Sequence, residues 1–82
     1  MKLYCHTLLA LLAVADPMQI DENEIRLAID LDAHEMRSGE YYEVRGVNED
    51  TLEGLLLLIN QNRLMQATEI NGTIVVKRKW GR

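Results

Sequence analysis

The chain has 82 residues, 48% of them hydrophobic, with no Phe, one Trp and one Cys; that is enough for one aliphatic core, read as a single domain over 1–82, and excludes a disordered tail. The lone Cys5 excludes an internal disulfide or a cysteine zinc site and suits a reducing cytoplasm. Twelve of the thirteen acids lie between Asp16 and Glu53, whereas from Arg63 onward five bases face only Glu69; a net charge of −4 so divided is not the overall footprint of a nucleic-acid binder.

Leu3 to Ala15 reads as a helix. Tyr4, Leu8, Leu11, Leu12 and Ala15 share one face at helical spacing, and Lys2, His6, Ala10 and Ala13 share the other. The same run imitates a short signal peptide, with Lys2 ahead of the apolar stretch and Ala13-Val14-Ala15 in the cleavage position. That stretch is short for a leader and contains His6 and Thr7, so a core helix is the expectation. Asp16-Pro17 ends it, because the residue before proline is pushed out of the helical region. No stretch is long enough to span a membrane.

Asp21 to Asp32 carries two patterns. Asp21 with Glu24 three residues on imitates a capping box, and Ile25, Ala28 and Ile29 make a helical face. Yet Ile25, Leu27, Ile29 and Leu31 alternate as a strand would, and the choice stays open. Ala33 to Val47 is polar, with a turn at Ser38-Gly39 and a short strand expected within Tyr41–Val47, as a loop or the arm of a hairpin. Asn48 to Met65 reads as the clearest helix. Asn48 is its N-cap, Val47 and Leu52 have staple spacing, Glu49 and Asp50 complement the positive end, and Asn62-Arg63 closes it. Gln66 to Lys79 reads as a hairpin, because Asn71-Gly72 supplies the positive φ angles of a type I′ turn. Ile70, Ile74 and Val76 are its expected core-facing residues.

The order helix, helix, helix, Asn-Gly hairpin resembles the winged helix-turn-helix superfamily. Glu24-Ile25-Arg26-Leu27-Ala28-Ile29-Asp30-Leu31-Asp32 is similar to its second helix and turn. Thr51 to Met65, with Ile70-Asn71-Gly72-Thr73-Ile74-Val75-Val76, is similar to its third helix, a left-handed turn at Asn62-Arg63-Leu64, and the wing. The resemblance implies an α+β, winged-helix-like domain of three helices and a C-terminal β-hairpin. Two departures are plain: Ala33–Val47 is longer than the usual turn, and Asp30 stands where that turn often has glycine. The alternative is α-ββ-α-ββ, with one antiparallel sheet under two helices.

No phosphate loop, nucleophile elbow or paired-histidine metal motif is present, and no cofactor, metal or catalytic residue is expected. Asp30, Asp32, His34 and Glu35 form the most catalytic-looking cluster, but a solvated acidic face with a local His–carboxylate pair is the better reading. Cys5 and His6 diverge on a helix, so Cys5 is expected to line the core.

Two surfaces remain. On the Asn48–Met65 helix, Leu52, Leu55, Leu56 and Ile59 form the core stripe, while Asp50, Glu53, Gly54, Leu57 and Gln61 point away. The winged-helix resemblance would send this outer face into a DNA groove, yet two acids and a leucine are the wrong chemistry for phosphates and base edges. A leucine beside a glycine suits the approach of a protein surface instead, although one scattered exposed leucine is also normal. The other surface is Lys77-Arg78-Lys79-Trp80-Gly81-Arg82. Its bases and Trp80 suit a phosphate backbone and a stacked base; the plainer reading is a charged edge strand with Trp80 folded back on the core. The expected function is therefore a non-catalytic protein-binding module, a small cytoplasmic regulator or inhibitor of a larger complex, binding a protein partner or a second copy. The alternative is a dimeric DNA-binding regulator using Lys77, Arg78, Lys79, Trp80 and Arg82.

Overall fold

The computed structural model describes residues 7–14 and 19–80. In chain order these form α1 (Thr7–Val14), α2 (Glu22–Glu35), β1 (Tyr41–Val44), α3 (Glu49–Gln61), β2 (Met65–Ile70) and β3 (Thr73–Arg78). The strands make one antiparallel sheet in the order β1-β3-β2. The class is α+β: three helices, a three-stranded sheet and a C-terminal hairpin.

Within α1, Leu8 is fully buried, Leu11 and Leu12 pack against the core, and Ala10 and Ala13 are exposed, as the wheel predicts. Tyr4, Ala15, the Asp16-Pro17 stop and the Cys5-His6 pair lie outside the described residues. The ambiguous second segment is a helix. Asp21 caps it, its side chain accepting from the Asn23 N–H at 3.3 Å and its carbonyl from the N–H of Glu24 and Ile25. Ile25, Ala28, Ile29, Asp32 and Ala33 are buried at spacings of three and four, while Leu27 and Leu31 are exposed. The strand-like alternation is thus split between core and solvent, and the four-stranded alternative is excluded.

Within 33–47 the expected turn at Ser38-Gly39 and the short strand are both present, but the strand is not the arm of a local hairpin. Strand β1 crosses to β3, pairing Tyr42 with Val76 and Val44 with Ile74. This makes β3 the central strand, which corrects the expectation of a basic edge strand.

Asn48 caps α3 as expected, its side chain accepting from the Asp50 N–H at 3.0 Å. The helix ends at Gln61 rather than Met65. Met65 is fully buried as the first residue of β2. The expected left-handed turn at Asn62 is absent: Asn62 is extended, at φ −75° and ψ 131°. Its side-chain oxygen accepts from the Leu64 N–H at 2.8 Å, so a local side-chain turn redirects the chain without a positive φ.

The hairpin turns at Asn71 (φ 51°) and Gly72 (φ 85°), as a type I′ turn requires. Ile74 and Val76 are fully buried, but Ile70 is 54% exposed. The two-residue turn fixes the register Ile70–Thr73, which places Ile70 with Gln66 and Thr68 on the outer face, while Met65 and Ala67 face inward. Side chains from all six elements meet in one core cluster.

Candidate interaction surface

Two of the four most catalytic-looking residues, Asp32 and Asp30, serve the fold. Asp32, 1% exposed, accepts from the Thr7 N–H (2.6 Å), the Leu8 N–H (3.2 Å) and the Tyr42 hydroxyl (2.7 Å). Thr7 and Leu8 open α1, where backbone N–H groups lack intrahelical acceptors. A carboxylate from α2 therefore caps α1 and complements the positive end of its dipole. The expected solvated reading is wrong for Asp32, because residue 32 falls on the buried stripe of α2. Asp30 is exposed and accepts from the Asn62 side-chain amide at 2.6 Å, linking α2 to the end of α3. His34 and Glu35 are exposed, and no described group of three or more His, Cys, Asp or Glu side chains is placed to hold a metal.

The basic segment is divided between two faces. Lys77 lies on the outer face of the sheet, opposite Tyr41 and Gln66. Arg78 is half-buried on the other side, where its Nε donates to the Ala33 carbonyl at 2.9 Å near the end of α2. A cation there complements the negative helix terminus. Lys79 is exposed and Arg82 lies outside the described residues. Trp80 is 73% exposed, and its ring lies so close to Gly39 that a Cβ at that position would collide with it. Trp80 therefore covers a glycine in the 38–39 turn instead of entering the core.

All five residues singled out on α3, Asp50, Glu53, Gly54, Leu57 and Gln61, are exposed. Leu57, at 64%, is among the most exposed large apolar side chains described. The helix carries Glu49, Asp50 and Glu53 but no Lys or Arg. Gly54 is in mid-helix, and a Cβ built on it would meet no described residue within 4 Å.

Beside this face runs a seam between α3 and α2. One depression, of about 250 Å³, has an apolar floor of Ile20, Ile25, Leu55 and Leu58, with Glu22, Asp50, Thr51 and Gly54 around it. A second, of about 130 Å³, continues past Leu58 to Arg26, Asp30, Gln61 and Asn62. The seam thus joins Asp50, Gly54 and Gln61 to α2, leaving Glu53 and Leu57 on the adjoining ridge. Sequence reasoning missed Ile20, Glu22, Ile25 and Leu58, because which flank of α3 meets α2 is a tertiary fact. No helix among the described residues is long and apolar enough to cross a membrane. Comparison of the chain with protein-family models, curated proteins and solved structures gives no match.

Proposed function

We propose that the chain is a non-catalytic protein-binding module on a winged-helix-like scaffold, a small regulator or inhibitor of a larger complex that meets its partner through the outer face of α3. Gly54 carries this reading. A glycine in a helix interior costs about 0.5–1 kcal/mol relative to alanine. Among the described residues no neighbour requires the missing Cβ. The need for a bare backbone there comes from outside, where a partner surface approaches closely. Leu57, one turn along, supplies an apolar anchor. Glu49, Asp50 and Glu53 would repel their counterparts in a second copy, which favours a different protein over a homodimer.

The test is Leu57→Asp. The side chain is mostly in water, so the variant should keep the wild-type circular dichroism and melt within a few degrees. In an interface the new carboxylate would be desolvated, and binding of the partner recovered from the native host should fall by about two orders of magnitude. Unchanged binding would remove α3 from the interface.

Exposed Trp80 beside Lys79 supports a second reading, DNA binding through the basic hairpin. It predicts duplex affinity that falls steeply with salt and is lost in Lys77→Ala/Lys79→Ala. Arg78 is left in place because its guanidinium is tied to α2.

A further inference from the structure

We infer that the seam between α2 and α3 is a slot for a cationic amphipathic helix of the partner, with an apolar anchor seated between Ile25 and Leu58. This rests on the protein-binding reading and adds the chemistry of the occupant.

Size comes first. The apolar depression, about 250 Å³, lies below the roughly 300–1,000 Å³ of typical small-molecule sites and suits side chains instead; a further one of about 360 Å³ adjoins the far end of the trough at Asp30, Gln61 and Asn62. Shape comes next. The two depressions share Leu58 and follow α3 from Asp50 to Gln61, three turns of helix. A trough of that length matches a helix presenting anchors about one turn apart. Its walls are helices whose backbones are already hydrogen-bonded, so an extended peptide would find no strand edge to extend. Gly54 lies at the mouth of the apolar depression, where its bare backbone lets the partner's main chain come close.

Charge selects the sign. On the α3 side Glu49, Asp50 and Glu53 are exposed without a cation in the helix. On the α2 side Arg26 is held by Glu22 at 2.6 Å, which leaves that pair neutral. The positive ends of both helices are met by acids in their first turns, Glu22 and Glu24 in α2 and Glu49 and Asp50 in α3. Around the apolar depression the charges are thus mainly acidic, Asp50 and Glu22 at its rim with Glu49, Glu53 and Glu24 nearby, while Arg63 stands beyond the far end of the trough at Asn62. Lys or Arg flanking an apolar anchor complements that acidic rim, and an acidic helix is repelled.

The experiment uses the full chain, isotope-labelled on backbone amides and Ile, Leu and Val methyls. It is titrated with two synthetic helical peptides of about 18 residues, long enough to hold helix in water. Both carry the same leucine stripe; the polar face is lysine in one and glutamate in the other. The lysine peptide should shift the Gly54 amide and the Ile25, Leu55 and Leu58 methyls, with an affinity that weakens as salt rises. Gly54→Leu should fill the mouth without strain, melt no lower than wild type, and weaken the lysine peptide by about tenfold or more. Equal binding of the glutamate peptide at the seam would overturn the cationic occupant while leaving α3 as a contact. Lysine-peptide shifts scattered away from the seam, or undiminished binding by Gly54→Leu, would overturn the slot. So would sedimentation of the free chain as a dimer whose contacts lie on the seam, since a second copy would then be the occupant. Leu57 lies on the ridge outside the slot, so loss of the native partner in Leu57→Asp together with an inert slot would discard this inference and keep the protein-binding reading.

Discussion

Replacing Asp32 with alanine tests whether a single buried carboxylate holds the first helix to the rest of the domain. Asp32 is the one charged side chain in the described core, and its three donors come from two other elements: Thr7 and Leu8 of α1, and Tyr42 of β1. Removal leaves the buried Tyr42 hydroxyl and Leu8 N–H without this acceptor, at about 1–3 kcal/mol each, and strips a cap from α1. Thr7 is only half-buried, so water replaces much of its bond. The sum is roughly 3–5 kcal/mol, against a total stability of about 4–12 kcal/mol for a chain this long. At about 4–8 °C per kcal/mol in a small domain, the melting midpoint should fall by roughly 12–40 °C. Tyr42→Phe removes one of the three bonds and should cost about 1–2 kcal/mol. Thermal and guanidinium unfolding followed by circular dichroism would measure both. An Asp32→Ala midpoint within about 3 °C of wild type would refute the capping role. A two-step melt, with some helix lost before the sheet, would show instead that α1 is held independently of the main core.

Two further variants probe how the sheet is finished. The Asn60 side chain donates to the Ala67 carbonyl at 3.1 Å and accepts from the Ala67 N–H at 2.8 Å, so α3 closes the free edge of β2 as a neighbouring strand would. Asn60→Ala should cost about 1–2 kcal/mol in guanidinium unfolding, and the near-isosteric Asn60→Asp should cost at least as much, because its carboxylate faces the carbonyl; an Asp variant as stable as wild type would count against this edge closure. Gly39 combines a φ of +86° with the Trp80 ring over its missing Cβ. Gly39→Ala should destabilise by about 1–3 kcal/mol and shift the fluorescence of the single Trp to the red; no change in either would mean that the ring does not rest there.

What could be read in the sequence divides by range. The Asn71-Gly72 turn was legible because positive φ at two adjacent positions is a local demand that few residue pairs meet. The start of α3 was legible because Asn48 and the Leu52/Leu55/Leu56/Ile59 stripe agree. Its end was not, because Met65 suits a helix as well as the buried strand it occupies. In α2 two periodicities coexist. Only packing against α1 and α3 shows that Leu27 and Leu31 are left outside. The pairing of β1 with β3 depends on register with a strand about thirty residues away, which no local pattern encodes. Asp32 did leave a trace: with residues 21–32 read as a helix, it lies on the stripe of Ile25, Ala28 and Ile29, so a charge faces the core. The outer face of α3 was legible from its wheel, whereas the seam beside it required the placement of α2.

The charge asymmetry of the sequence takes on meaning once the sheet is in place. Its basic end is partly internal, because Arg78 secures the close of β3 to the end of α2. Its acidic surplus is not neutralised in the same way. The described ion pairs, Glu22–Arg26 and Glu43–Arg45, are both exposed, a class worth about 0–1 kcal/mol each, and neither involves α3. On α3, Glu49 and Glu53 are like charges four residues apart, an arrangement that costs about 0.2–0.5 kcal/mol, and the helix dipole relieves mainly the first of them. Gly54 adds its own cost in the next position. The exposed part of one helix thus concentrates two features that weaken the isolated domain; a cationic surface would relieve the repulsion between the two glutamates, and the bare Gly54 would let that surface come close. For that reason α3 and its seam with α2, and not the basic hairpin, are the surface we propose for recognition.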